Sequence, residues 1–287
     1  MTATLLLLAL LLDALWPCRW RPLAGFERLA ARVSTLIASS DRLGGALATA
    51  ALLLPPVWLA AEWLPPMSLA AEPWRAAVAA LVLSTLLGLR RLNETVRAND
   101  DANIACREAL AAGGGFGVLF WFLVAGVAGA LLYRLTATLA RPGDGDAPVW
   151  AAVWLEDVLN IVPARLAALA YALLGLPRGH TRRALEHWRE QAPAWPDANA
   201  GPPLAAGATV LGIRLEGRAD AQGEVPFLGE ADAPAPVDGE QALALARHAV
   251  WLWLAVIGLG ELAWWGLATQ APDWETIRNF LLEALLA

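Results

Sequence analysis

One short run in WLEDVLNIVPARLAALAYALLG (154–175) places Glu156, Asp157, Asn160 and Arg165 among apolar residues, with Pro163 in their midst. On a helix Asp157 and Asn160, three apart, share a face, and Arg165 lies roughly 80° round and about two turns on. Pro163 has no N–H to give, so the carbonyl of Leu159 loses its regular helical donor and must find another. An ionisable group inside lipid costs at least ~2.5–3.5 kcal/mol, so these side chains are expected to face protein, water or a ligand. Two arrangements satisfy that demand. In one, Glu156 or Asp157 pairs with Arg165 and locks a bent helix. In the other, a kinked helix lines a polar cavity that meets an anionic substrate. The residues alone favour neither.

Other chemistries are excluded or weakly signalled. All 21 basic residues are arginine, so no P-loop lysine, Schiff-base lysine or Ser–Lys dyad can exist. Cys18 and Cys106 lie far apart, and His180, His187 and His248 form no metal-ligand pattern. The run GGGFG (113–117) lacks the GK[ST] ending of a phosphate cradle and reads as a flexible entry into an apolar segment. Adjacent Asp100 and Asp101 can attract Mg²⁺, but within RRLNETVRANDDANIACREAL (90–110) they fit a solvated amphipathic helix better. Tyr133 and Arg134 fit a membrane interface, the arginine snorkelling and the tyrosine joining an aromatic belt. A net charge of −6 and the lack of a basic stripe argue against a nucleic-acid partner.

The elements that must position the polar run are membrane helices. The chain is 58% hydrophobic and 17% charged, with a mean hydropathy of +0.49. That is too much apolar surface for one water-soluble core, so a lipid bilayer is the expected surrounding. Six apolar segments run at about 2–16, 44–64, 74–89, 113–139, 149–176 and 249–268. The first and third are short for a hydrocarbon core of roughly 30 Å. Loops 17–43, 90–112 and 177–248 together carry 16 arginines, and Arg75, Arg141 and Arg278 are the three on the opposite side. That alternation predicts a cytoplasmic face for the richer loops. The expected fold is therefore an all-α, polytopic inner-membrane protein with about 5–6 membrane segments. Residues 1–176 hold the first five helices, 177–248 a cytoplasmic polar insert, and 249–287 the last helix and tail. Within the insert, a small-residue run beyond Asn199 is suited to close packing or re-entry, and the acidic stretch 219–240 reads as loop.

Four blocks, in order, carry a resemblance: LLDALWPCRWRPLAGFERL (11–29), LFWFLVAGVAGALLYRLTATL (119–139), EDVLNIVPARLAAL (156–169) and WPDANAGPPLAAGATVLGIRLEG (195–217). They are similar to the CobD/CbiB membrane proteins of cobalamin biosynthesis, with DVLNIVPARL the most specific piece. The resemblance implies an adenosylcobinamide-phosphate synthase, an acid–amine ligase joining adenosylcobyric acid to aminopropanol or its phosphate with ATP and Mg²⁺. It implies that Asp157 helps hold the metal or the amine and that Arg165 binds phosphate or carboxylate. Asn160 and Asn199 would position polar substrate groups, and the resemblance leaves the metal ligands unknown. The chain departs from the family pattern where Ala109, Leu110, Ala111 and Gly113 replace an acidic and amide run. It departs again where Ala137, Ala140, Trp195 and Leu204 replace polar residues. AmpE-like inner-membrane proteins share part of the pattern and also lack the acidic run. The alternative expectation is therefore a non-catalytic membrane partner or regulator on the same scaffold.

Overall fold

A computed structural model describes residues 2–15, 25–26, 28–29, 32, 42–63, 73–111, 115–140, 150–217, 226–230 and 236–270. Arg19, Arg21, Arg141 and Arg278, Gly113 and Gly114, and much of the acidic stretch 219–240 lie outside the described residues. In chain order the helices are α1 (Thr2–Leu15), α2 (Arg42–Trp63), α3 (Pro73–Leu87), α4 (Leu89–Ala98), α5 (Ala102–Ala111), α6 (Phe116–Ala140), α7 (Trp150–Leu174), α8 (Thr181–Glu190), α9 (Gly201–Leu211) and α10 (Pro236–Gln270). Two short strands, β1 (Arg214–Glu216) and β2 (Phe227–Gly229), lie between α9 and α10.

The architecture is that of a helical membrane protein. Among the described residues, and by length and composition alone, four stretches could cross a bilayer: 44–63, 102–140 (which runs over residues 112–114, outside the described ones), 150–174 and 238–266. This corrects the expected five to six segments. With 14 and 15 residues, α1 and α3 rise only about 21–23 Å at ~1.5 Å per residue, short of a core of roughly 30 Å. They pack against each other, and Leu5, Leu6, Ala9, Ala80 and Leu83 all belong to the main hydrophobic core. The long helices turn large apolar side chains outward: Leu47 and Trp58 on α2, and Leu259, Leu262, Trp264 and Trp265 on α10 are all more than 60% exposed. Water would penalise such a surface, and acyl chains would not.

The fourth apolar segment is not one rod. Its helical geometry fails at Ala125 and Gly126, where Gly126 takes φ 64° and ψ −154°, a backbone region that is essentially glycine's own. The chain then doubles back. A Cβ on Gly117 would overlap the Tyr133 ring, and one on Gly129 would overlap the carbonyl of Trp121, so the limbs 116–124 and 127–140 run side by side as a helical hairpin. Gly115, at the start of the first limb, lies against Leu87, and the guanidinium of Arg134, midway along the second limb, lies against Gly88, which puts both limbs beside the α3–α4 junction. Neither limb alone, at ~1.5 Å per residue, reaches across a core of roughly 30 Å. The expected belt position of Tyr133 is replaced by an inward one.

The polar insert packs beneath the helices. Residues 201–210 of α9 are buried throughout, which their small side chains permit, and Gly207 lies against Leu110 of α5. The Tyr171 hydroxyl donates to the Leu110 carbonyl at 3.1 Å. Thr209 gives its hydroxyl proton to Ala205 O at 2.7 Å, so the 2.8 Å contact with His187 requires His187 to carry a proton on Nδ1. The strands form an antiparallel ribbon with both outer edges closed by side-chain amides. Asn103 exchanges two bonds with the backbone of Glu216, and Gln191 does the same with Gly229. Asp101 accepts from the N–H groups of Asn103 and Ile104, which makes it the N-terminal cap of α5.

The hairpin contact yields a stability prediction. Gly117→Ala should lower the unfolding free energy of the detergent-solubilised protein by about 1–3 kcal/mol through overpacking. In a Tyr133→Ala background the same change should cost well under ~1 kcal/mol, because the obstructing ring is gone.

Candidate functional site

The polar run of the sequence lies on α7, which stays helical across Pro163. The carbonyl that Pro163 leaves without a donor has found one: Trp121 Nε1 donates to Leu159 O at 2.9 Å. One residue on, Asn160 Oδ1 accepts from the Tyr133 hydroxyl at 3.3 Å. The two limbs of the α6 hairpin therefore each hold one of two consecutive residues of α7. Glu156 is buried, whereas the Asp157 carboxylate is exposed.

The second wall comes from the insert. Asp197 Oδ1 accepts from the N–H groups of Asn199 and Ala200, at 2.9 and 3.0 Å, an Asx turn that leads into α9. Upstream of it the buried Trp195 ring carries the Arg107 guanidinium over its face, 5.1 Å from the centroid. The turn directs Asn199, only 7% exposed, onto α7. Asn199 Nδ2 donates to Asp157 O at 2.9 Å, and its Oδ1 accepts from Arg165 Nη1 at 3.4 Å. Arg165 Nη1 also donates to Ile161 O at 2.7 Å.

Of the four candidate residues, Asn199 joins the backbone of Asp157 to Arg165, whereas Asn160 is engaged by Tyr133 of α6 and has no described hydrogen bond to the other three. Arg165 meets no carboxylate within ion-pair distance among the described residues, so the Arg165 ion-pair knot does not form there. The guanidinium is held by two neutral acceptors, Ile161 O and Asn199 Oδ1. Asn160 keeps its Nδ2 donors free of any described partner. Sequence reasoning missed Trp121, Tyr133 and Asp197. The signal for the first was present, since the proline demanded a donor for Leu159, but nothing in the sequence said which one. Among the described residues no group of three or more His, Cys, Asp and Glu could hold a metal ion by itself.

Comparison with known proteins matches this region directly. The family model described as CobD/Cbib protein covers residues 105–246, which include the hairpin, the polar run and the Asx turn. The Cobalamin biosynthesis protein CobD of Stutzerimonas stutzeri (strain A1501) is 39% identical, over 88% of this chain and 95% of its own length. The chain belongs to the CobD/CbiB family. The corresponding protein of Chromobacterium violaceum is 38% identical over 89% of this chain and 95% of its own length. That of Mycobacterium tuberculosis (strain ATCC 25618 / H37Rv) is 29% identical over 84% and 90%. No solved structure gives a significant match. Of the positions at which the sequence was expected to depart from the family pattern, Ala109, Leu110, Ala140, Trp195 and Leu204 are buried, whereas Ala111 and Ala137 are half-buried.

Asn199 touches the Asp157 backbone, not its side chain, and that separates two variants. Asn199→Ala should destabilise the protein by about 1–3 kcal/mol, by stranding buried polar groups. Asp157→Ala should change stability by no more than ~0.5 kcal/mol, as expected of an exposed side chain. Thermal unfolding in detergent checks both.

Proposed function

We propose that the chain is an acid–amine ligase of cobalamin biosynthesis, forming an amide between adenosylcobyric acid and aminopropanol or its phosphate. The observation that carries this reading is Arg165, a guanidinium fixed by Asn199 and Ile161 O yet paired with no carboxylate of the described residues. Such a group binds a carboxylate or phosphate through its remaining N–H donors. Adenosylcobyric acid carries a carboxylate, and aminopropanol phosphate and ATP carry phosphate.

An amide does not form from a carboxylate and an amine at neutral pH unless the carboxylate is first activated. In the proposed reaction the carboxylate takes the terminal phosphoryl group of ATP and releases ADP; the amine nitrogen then attacks the acyl carbon, phosphate leaves, and the nitrogen gives up a proton as the amide forms. Arg165 holds the anionic partner and opposes charge that builds on the phosphoryl oxygens. Asn160 offers Nδ2 donors to a polar substrate group, and the exposed Asp157 carboxylate orients the amine or contributes to metal binding. Mg²⁺ carried by nucleotide phosphates typically needs only one or two protein carboxylates. The residues present fit that minimum, with Asp157 as the available ligand. When bound, the metal would neutralise phosphate charge. Asn199 supports the arrangement from behind.

We place the protein in a bacterial inner membrane with the arginine-rich stretches 90–112 and 177–248 in the cytosol. Their mutual contacts support a common side: Arg97 pairs with Glu240 at 3.4 Å, and Asn103 and Arg107 both donate to Glu216 O. A cytosolic site would also have access to ATP.

A second reading, a non-catalytic membrane partner on the same scaffold, draws support from Leu110 and Leu204. These fill core positions where the family pattern carries polar groups. Growth of a synthase-deletion strain on cobyric acid separates the two. The wild-type gene should restore growth, Asp157→Ala should not, and Arg182→Ala on exposed α8 should behave as wild type. Arg165→Ala should raise KM for the anionic substrate at least about tenfold, the scale of a lost charge-assisted hydrogen bond. No growth from well-expressed wild-type protein would favour the scaffold reading.

A further inference from the structure

The hairpin contacts point beyond the residues that face substrate. The regular helical donor for Leu159 O would be the backbone N–H of residue 163, which proline lacks. The indole N–H of Trp121 takes that place at 2.9 Å, from an element on the other side of the 141–149 connection. A missing helix rung has thus become a joint between two elements. The joint lies at the level of the site: Asn160 follows Leu159 directly, and the carbonyl of Asp157, two residues earlier, is tied to Asn199. A carbonyl that accepts from its own helix says nothing about where that helix sits against its neighbour. One that accepts from a side chain of the neighbour fixes both rotation and height.

We infer that Trp121 is a positioning residue: acting through the Leu159 carbonyl, its indole N–H sets the placement of the α7 turn that presents Asp157 and Asn160. The site roles of those two residues rest on the function proposed above, whereas the joint itself does not. Pro163 is the reason that the joint exists, and it supplies the means of testing it. Restoring an N–H at position 163 gives Leu159 O an intrahelical donor and removes the need for the indole.

The test is a double-mutant cycle read in two ways. Trp121→Phe keeps an aromatic ring and deletes the N–H. The first readout is steady-state ligase kinetics. Trp121→Phe should lower kcat about tenfold and change KM for the corrinoid less than about threefold, and Trp121→Phe with Pro163→Ala should return to within about twofold of Pro163→Ala alone. The second readout needs no activity. A nitroxide on Asp157→Cys, in a chain with Cys18→Ala and Cys106→Ala, should give one spectral component with Trp121 present and two in Trp121→Phe. Adding Pro163→Ala should restore the single component. A purely packing role for the indole would leave the Trp121→Phe effect the same in both backgrounds, and that result overturns the inference. An unchanged nitroxide spectrum in Trp121→Phe overturns it as well. If the wild-type chain has no ligase activity the proposed function falls, and the nitroxide cycle alone still decides the role of Trp121.

Discussion

An unpaired carbonyl inside a water-poor bundle costs about 1–3 kcal/mol, and more where lipid replaces water. Pro163 creates one such carbonyl, at Leu159, in the middle of α7. The rest of the candidate site is arranged around its repair. Trp121 must stand close enough to donate, which brings the first limb of the α6 hairpin against α7. Tyr133 then comes within reach of Asn160, and Gly117 must lack a side chain so that the Tyr133 ring can lie there. One absent N–H thus accounts for a tryptophan, and the tyrosine and glycine follow from where that tryptophan sits.

Much of this was legible in the sequence, and the part that was not has a physical reason. The orphaned carbonyl followed from Pro163 alone, and the cost of a charge in lipid required the ionisable residues to face protein, water or a ligand. The direction of α6 was not legible. Hydropathy measures how apolar a segment is and is blind to a reversal, so 113–139 read as one crossing. The reversal depends on the φ of Gly126, one glycine among several in that segment. Arg165 shows a different limit: an ion pair and an open binding side chain use the same residues, and only the surroundings distinguish them. The role of Asn199 was partly hidden too. Its amide reads as a substrate contact in sequence and turns out to be nearly buried, engaged at both ends with α7.

The electrostatics explain why the site can be both stable and receptive. Neutral acceptors hold the Arg165 guanidinium in place without cancelling its charge, as a carboxylate would. Neutral orientation of this kind leaves most of the attraction for an incoming anion. The insert supplies the rigidity behind it. Trp195 under Arg107 and the Asp197 turn anchor the loop, and α9 packs its small residues into the bundle. The same economy of polar groups is the chief tension in the account, since Leu110 and Leu204 are buried apolar residues where the sequence resemblance leads one to expect polar ones.

Direct detection of product decides that tension. Purified protein in lipid nanodiscs would be given adenosylcobyric acid, aminopropanol phosphate, ATP and Mg²⁺, and the corrinoid would be followed by mass spectrometry. The account predicts a corrinoid heavier by the amine less one water, formed by wild type and lost in Asp157→Ala. Folded wild-type protein that leaves the corrinoid mass unchanged in the presence of every substrate would contradict it.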